Sequence, residues 1–176
     1  LKKYPRHQNI DYALYLKSIC YYNQISDETK DLGPIVEAKR HFKYIINNYP
    51  KSEYALDAEY KLELINEILA SKEMYIARFY MEKEKWIPSI NRFKKVVKDY
   101  DKSIYVEEAL FRLVEIHYRI GLEDEAKKYA HLLGYNYQSS QWYENSYRIF
   151  NQKFKKKRVI EKNKSKSILE KIKSLL

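Results

Sequence analysis

An all-α fold of helical hairpins stacked into a superhelix is the class this sequence predicts, and three observations carry the prediction. Gly occurs three times and Pro four times in 176 residues, which leaves few breaks for a many-turned sheet and favours long helices joined by short corners. Hydrophobic residues make up 45% of the chain and aromatics 15%, enough for one substantial core. The third observation is an internal repeat. Ala38, Phe42, Tyr49, Pro50, Ser52 and Tyr54 are matched by Ser89, Phe93, Tyr100, Asp101, Ser103 and Tyr105 at a constant offset of 51 residues. The match continues through Ala58 and Ala109, Leu62 and Leu113, and Ile65 and Ile116, so it spans a helix, its corner and the next helix. A third copy follows 37 residues later, with Ala126, Ala130, Leu133, Tyr137, Ser140 and Trp142 in the places of Ser89, Phe93, Val96, Tyr100, Ser103 and Tyr105.

The spacing of these residues has a packing reason. A small side chain on the second helix of a hairpin lets the first helix approach closely, and a large one four residues later fills the space between successive hairpins. Small, large and medium residues at spacings of four and three, closed five residues on by Pro or a polar residue, form the second-helix pattern of tetratricopeptide repeats, present here as Ala38, Phe42, Ile45 and Pro50. Ala77 and Tyr80 precede Ser89 by the twelve and nine residues that the first helix of such a hairpin requires. Each hairpin leaves a face uncovered until its neighbour stacks on it.

Taken in order, the elements follow from caps and breakers. Asn9 is expected to cap a helix from Asp11 to about Gln24, with a polar loop from Ser26 to Pro34. A second helix is expected from Ile35 to Tyr49, stopped by Pro50. Residues Ser52 to about Lys85 contain neither Gly nor Pro, so one long helix and two helices are both open there, and one long helix would account for a first spacing of 51 rather than one near 34. Helices are then expected over Trp86 to Tyr100, Ser103 to Ile120, Leu122 to Gly134 and Ser140 to about Lys153, with Gly121 and Gly134 each ending one. Residues 1–152 are expected to form the repeat domain and residues 153–176 a separate basic tail.

Charge is concentrated in that tail. The net charge is +10, but residues 153–176 hold ten Lys/Arg against two Glu, and the rest is nearly neutral. A nucleic-acid partner is therefore not expected of the repeat body, and the excess of Lys, Tyr, Ile and Asn has two open explanations, coding-base composition and selection for anions. In the tail, Ile160, Ile168, Leu169, Ile172, Leu175 and Leu176 recur at helical spacing among the basic residues. Two readings are open: an amphipathic helix for an anionic membrane or an acidic partner, or a solvated end.

Catalytic patterns are scarce. His7, His41, His117 and His131 lie in different repeats with no HExxH arrangement, so no metal is expected. Gly33, Gly121 and Gly134 are too far apart for a phosphate loop. The pairs Glu82 and Glu84, and Glu107 and Glu108, sit in charged runs and are expected to be solvated. Cys20, the single cysteine, excludes an internal disulfide and is expected to be a small buried hydrophobe. No run of eighteen apolar residues occurs, so no spanning helix is expected. The chain is expected to be a binding protein that uses no cofactor, and not an enzyme.

The opening Tyr4-Pro5-Arg6-His7-Gln8-Asn9-Ile10-Asp11-Tyr12 resembles the Pro-x-His-x-Asn-Ile-Asp-Tyr segment of the BamD/ComL family, with His7 directly after Arg6 and Gln8 before Asn9 as small departures. The order that follows is similar too: a helix, a polar insertion, Ala38 to Pro50, a long helix ending near Tyr80, Trp86 opening the next, and Tyr118-Arg119 before a turn. The resemblance covers about residues 4–134 and implies an outer-membrane lipoprotein of the β-barrel assembly machine. It implies a scaffold at the periplasmic face of the outer membrane that holds the POTRA domains of the barrel-forming subunit, meets other assembly lipoproteins and helps deliver unfolded outer-membrane β-barrel proteins. No lipid-attachment cysteine or initial repeat precedes Tyr4, so this chain is expected to be a truncated form whose anchor to the inner leaflet lies outside it.

Two groups are expected to bind partners, because aromatic and Arg side chains supply most interface energy. The first is Asn9, Asp11, Tyr12 and Tyr15, for which the alternative is that both tyrosines fill the core and Asn9 merely caps. The second is Tyr118 and Arg119, which the resemblance implies touch the POTRA domains, Arg119 being able to pair bidentately with a carboxylate; the alternative is that Arg119 is a simple exposed arginine. The alternatives from other classes are a cytosolic tetratricopeptide adaptor, for example for chaperone tails, and an anionic-surface binder acting through the tail.

Overall fold

The computed structural model describes residues 7–24 and 33–151. Among those residues every regular element is an α-helix: α1 (Ile10–Tyr22), α2 (Gly33–Asn48), α3 (Glu53–Glu82), α4 (Trp86–Asp99), α5 (Val106–Arg119), α6 (Glu123–Asn136) and α7 (Gln141–Phe150). The all-α repeat expectation holds. The chain divides into two compact units, Leu1–Val106 and Glu107–Leu176. The expected polar loop from Ser26 lies almost wholly outside the described residues, as does the basic tail from residue 153.

In the first unit α1 packs on α2, α2 on α3 and α3 on α4. The stretch free of Gly and Pro is one unbroken helix of 30 residues, and it serves two partners. Its first half contributes Ala58, Ile65 and Leu69 to a core with Ile35, Ala38, Phe42 and Ile45 of α2, flanked by Leu14, Tyr15 and Ile19 of α1. Its second half buries Met74 and Ala77, and α4 buries Ser89, Ile90, Phe93 and Val96. The Ser89 hydroxyl donates to the Ala77 carbonyl at 2.9 Å, so the twelve-residue pairing read from the repeat is a physical contact. Phe42 and Phe93, equivalent in the repeat, are both fully buried, each contributing about 1.5–3 kcal/mol of transfer free energy. Glu73, also buried, is held by Arg92 at 2.8 Å and Lys95 at 2.6 Å. Burial alone would raise its pKa, but the hydrogen bonds from those two cations outweigh it and hold the carboxyl below its ordinary value.

In the second unit Ala109, Leu113 and Ile116 of α5 are fully buried, as Ala58 and Ile65 are at the equivalent places of α3, where Leu62 is only partly buried. Rings tie the three helices together. Phe111 lies against Trp142 with centroids 5.4 Å apart, His117 against Tyr129 at 5.2 Å, and Tyr118 edge-on to Phe150 at 5.4 Å.

The repeated serines have one task, performed three times. Ser52, Ser103 and Ser140 each accept the N–H two residues on, from Tyr54, Tyr105 and Trp142, at 3.3, 3.3 and 3.1 Å. Each also donates its hydroxyl proton to a carboxylate on the helix two before the one it precedes: Ser52 to Asp11 and Ser103 to Glu67, both at 2.7 Å, and Ser140 to Glu107. At 52 and 140 the serine thus caps the helix that follows and fastens it to the helix that bears the acid, and Ser103 makes the same two bonds in the turn before α5. Glu107 is therefore engaged, and its neighbour Glu108 is buried against Arg112. This corrects the expectation of a solvated pair, because α5 turns both acids toward other groups. Glu82 and Glu84 are exposed as expected.

Four further expectations are corrected. Cys20 is exposed, since the apolar run of α1 continues around the helix and only part of it can face α2. Gly33 and Pro34 belong to α2, Pro being tolerated in a first turn whose N–H groups have no helical partner. Gly134 lies inside α6 and does not end it. A Cβ there would stand 2.6 Å from the Tyr143 ring of α7, so Gly134 serves close helix approach. Finally, α7 ends at Phe150, short of the expected Lys153. Gly121, with φ +84, does close α5 as expected.

Candidate functional site

The first group of site residues lies at the start of α1. Asn9 occupies the cap position, but with φ −102 and ψ 32 its backbone is not extended and its side chain makes no capping bond. The expectation that it caps through its side chain is thus corrected. The Asn9 carbonyl accepts from Ala13 at 3.1 Å, and its N–H donates to Nδ1 of His7 at 3.2 Å. Asp11 accepts from Ser52 and, at 2.9 Å, from the N–H of Tyr12. The Ser52 bond, followed by that backbone bond, lowers its pKa.

Tyr12 and Tyr15 have different surroundings. Tyr15 is half-buried, its ring stacked on Tyr54 at 5.1 Å and tilted against Phe42 at 6.3 Å. Its hydroxyl donates to Asp57 at 2.5 Å. Burial first, and then the Asp57 carboxylate as bond acceptor and negative charge, push the phenol up to about 12. Tyr12 touches Tyr54 at 5.4 Å but stays 45% exposed, and Leu16, one turn on, is 43% exposed. The structure therefore brings Asp11, Tyr12 and Tyr15 together around Tyr54, with Asp11 and Tyr15 engaged in packing and Tyr12 presented outward. Tyr54, Asp57 and Leu16 complete this face and were not singled out from sequence. The signal for Tyr54 was its equivalence with Tyr105 in the repeat, whereas Asp57 and Leu16 had none.

The second group ends α5. Tyr118 is 39% exposed and Arg119 is exposed. Their direction is fixed by the corner behind them, where Leu122 N–H donates to the His117 carbonyl at 2.8 Å and Gly121 N–H to the Tyr118 carbonyl at 3.1 Å. His117, buried beneath them, has Nδ1 2.7 Å from the Leu113 carbonyl and acts there as donor. Arg119 stands at the helix end where a cation is favoured. Phe150, which supports Tyr118 edge-on, is the residue sequence reasoning passed over.

Comparison with known proteins now bears on these surfaces. The family model YfiO, described as outer membrane lipoprotein, matches residues 1–132. The chain belongs to this family. It is 44% identical over 146 residues to the outer membrane protein assembly factor BamD of Rickettsia prowazekii, covering 83% of this chain and 58% of that relative. To the factor of the same name from Caulobacter vibrioides it is 40% identical over 148 residues, covering 84% of this chain and 48% of the relative. The Neisseria gonorrhoeae factor is 33% identical over 126 residues, covering 66% and 47%. The chain thus spans about half the length of the curated relatives it matches. The YfiO match includes both groups of site residues, Asn9 to Tyr15 and Tyr118-Arg119, and stops within α6. Among the described residues no helix is long and apolar enough to cross a membrane.

Proposed function

We propose that this chain is the protein-binding repeat region of an outer-membrane β-barrel assembly factor, acting at the periplasmic face of the outer membrane. The observation that carries the reading is the 44% identity, over 83% of the chain, to a relative named as an outer membrane protein assembly factor. On this reading the exposed aromatic faces are docking surfaces. Tyr118 and Arg119 meet the POTRA domains of the barrel-forming subunit, and the face of Asn9, Asp11, Tyr12 and Tyr15 meets other assembly lipoproteins or unfolded outer-membrane β-barrel proteins. The attachment to the inner leaflet is a lipid anchor outside this chain. Binding is the work proposed, with no bond made or broken.

Two features support the assignment of Tyr118 and Arg119. They stand on a corner whose backbone hydrogen bonds are already satisfied, so little ordering is needed when a partner docks. Arg offers a planar fork for a partner carboxylate, which Lys does not reproduce. Arg119→Glu is expected to weaken the complex with isolated POTRA domains by about 2–5 kcal/mol, as for a charge reversed at a desolvated pair. The melting temperature should hardly move, because the side chain is exposed. Calorimetric titration and circular dichroism on the same samples check both. Loss of helicity in step with loss of binding, or unchanged binding, would reject Arg119 as an anchor.

A further inference from the structure

Three helices each carry the acid that fastens a later corner: Asp11 on α1, Glu67 on α3 and Glu107 on α5. In α1 and α5 that acid is the second residue of the helix, whereas in α3 the residues from Glu53 to Asn66 all precede it. The long helix therefore runs past the corner that Ser103 fastens, and this extra length has a wet side. Leu56, Glu59, Tyr60 and Glu63 fall at i, i+3, i+4 and i+7, on one face, and all four are exposed. Leu56 is 76% exposed and Tyr60 59%. The other side of the same stretch, with Ala55, Ala58 and Ile65, is buried.

Between this face and the corner after α4 lies a cavity of about 390 Å³ walled by Tyr60, Leu64 and Tyr100. Glu63, Asp99 and Asp101 also line it and are exposed. Glu67 lines it too but is occupied, taking the Ser103 hydroxyl and, at 3.4 Å, the Ile104 N–H. The Ile104 side chain is 78% exposed. Two cations stand nearby. Lys102 lines the cavity, and Lys39 is held by Asn66 at 2.8 Å and lies over the Tyr100 ring at 5.4 Å. The balance is acidic all the same: residues 53–67 hold five acids and one Lys, in a chain whose net charge is +10. A cleft lined by one sign of charge between apolar walls concentrates that field.

We propose that this cleft docks a segment of another protein that carries Lys or Arg beside apolar side chains. The basic side chain enters the cavity, its stem along the Tyr60 and Tyr100 rings and its charge facing Glu63, Asp99 and Asp101. Its apolar neighbours cover Leu56 and Ile104. The acids alone would mark a solvated face; the cavity and the exposed Leu56, Tyr60 and Ile104 make it a docking surface. Charge complementarity selects the occupant, because the same acids repel an anionic lipid surface and nucleic acid. The proposal goes beyond the assembly-factor reading, since it uses neither Tyr12 nor Arg119 and its test needs no POTRA domain.

Fluorescence anisotropy on the whole 176-residue chain tests this, with a labelled peptide of alternating Lys and Leu as the probe. Tyr60→Ser is expected to weaken binding about five-fold or more, as for the loss of an aromatic anchor. Glu63→Lys should weaken it about ten-fold and make the affinity less sensitive to salt. Glu82→Lys is the control: it lies about 33 Å along α3 from Tyr60, far beyond the screening length of about 8 Å, and should change binding less than about two-fold. All three side chains are exposed, so circular dichroism should report intact helices in every variant. Undetectable binding to the unaltered chain, or binding that survives both Tyr60→Ser and Glu63→Lys, would overturn the proposal. Equal losses in Glu63→Lys and Glu82→Lys would reduce the binding to general charge attraction, and equal affinity for a peptide of Lys and Ser would remove the apolar anchors; either result overturns it. Self-association in sedimentation that Tyr60→Ser disperses would overturn it in favour of a second copy of the chain. Pelleting with phosphatidylglycerol vesicles that Tyr60→Ser abolishes would overturn it in favour of a lipid surface.

Discussion

The pair α3 and α4 and the pair α5 and α6 use the same repeat pattern and are packed very differently. α4 buries Ser89, Ile90, Phe93 and Val96, whereas α6 buries only Ala126 and Leu133, and α7 only Ser146. The small position is filled in both, by Ser89 and Ala126, and so is the medium one, by Val96 and Leu133; all four are fully buried. What differs is the large position, Phe93 against Ala130. A repeat pattern thus specifies how two helices of a hairpin approach each other through its small residue, and how well the hairpin is filled through its large one. The second property can change while the first is kept.

The long helix gives the strongest test of the better-packed pair. Ala70 is fully buried at the middle of α3, so Ala70→Pro loses a backbone hydrogen bond and forces a ring into filled space. The helix break costs roughly 3 kcal/mol or more, and overpacking adds about 1–3 kcal/mol. Thermal unfolding should show the variant largely unfolded or strongly destabilised. A near-wild-type melting temperature would mean that the chain turns a corner at residue 70 and that α3 is two helices.

Next in size is the large position itself. Phe93→Ala should cost about 3–5 kcal/mol, the range for an aromatic removed from a closed core. Ala130→Gly in the equivalent place should cost only about 1 kcal/mol, the helix-propensity difference. Denaturant unfolding of the two variants measures the contrast, and similar losses would show that the two pairs are equally packed after all.

Much of this was legible in the sequence, and the boundary is physical. Spacings of small, large and medium residues encode packing directly, so the helices and the Ser89 to Ala77 pairing could be read from them, whereas the continuity of α3, open in the sequence between one helix and two, comes from the fold. The serines at 52, 103 and 140 were visible as repeats, but their carboxylate partners Asp11, Glu67 and Glu107 were not. Those acids sit at no fixed sequence distance, at 41, 36 and 33 residues. Exposure around α1 was misread at Cys20 because a helix apolar on most sides gives no phase from which to choose its buried face. For the candidate site, the residue types pointed to Tyr12 and Tyr15 together. Only the position of Tyr54 and Asp57 separates the outward ring from the engaged one.

Ion pairs sharpen the comparison through pH. In the first unit Glu73, buried between Arg92 and Lys95, has a folded pKa below its ordinary carboxylate value. A depressed carboxylate contributes stability that is present above the unfolded value, near pH 4.3, and lost as pH falls through the lower folded value. Glu73→Gln should therefore lower stability at pH 7 by about 1–2 kcal/mol, the lower part of the range for a charged hydrogen bond because both cations are substantially exposed. It should also flatten the stability curve below pH 4.5. In the second unit Glu125 pairs with Lys128 at 2.9 Å on an open surface, and Glu125→Gln should leave the acid limb as it was. Melting temperatures between pH 3 and 7 decide it, and an unchanged acid limb in Glu73→Gln would remove that residue from the account.

The smallest effect separates two corners built on one plan. After α3, Lys85 N–H donates to the Tyr80 carbonyl at 2.9 Å and Glu84 N–H to the Met81 carbonyl at 3.0 Å; after α5, Leu122 donates to His117 at 2.8 Å and Gly121 to Tyr118 at 3.1 Å. Both are the Schellman arrangement, which needs a left-handed residue just past the helix. Gly121 fills that place with φ +84, and Glu84 fills its counterpart with φ 54. A residue with a Cβ bears about 1 kcal/mol of steric cost there, and glycine does not. Glu84→Gly should therefore stabilise the chain slightly, by less than that amount because glycine frees the unfolded chain. Gly121→Ala should destabilise it by about 1 kcal/mol although nothing lies within 4 Å of the added Cβ, so the loss is conformational and Gly121→Asn should recover part of it. Shifts of opposite sign at the two corners are the expected reading in thermal melts. Shifts of the same sign would mean that contacts around Glu84, rather than backbone strain, decide which residue that corner needs.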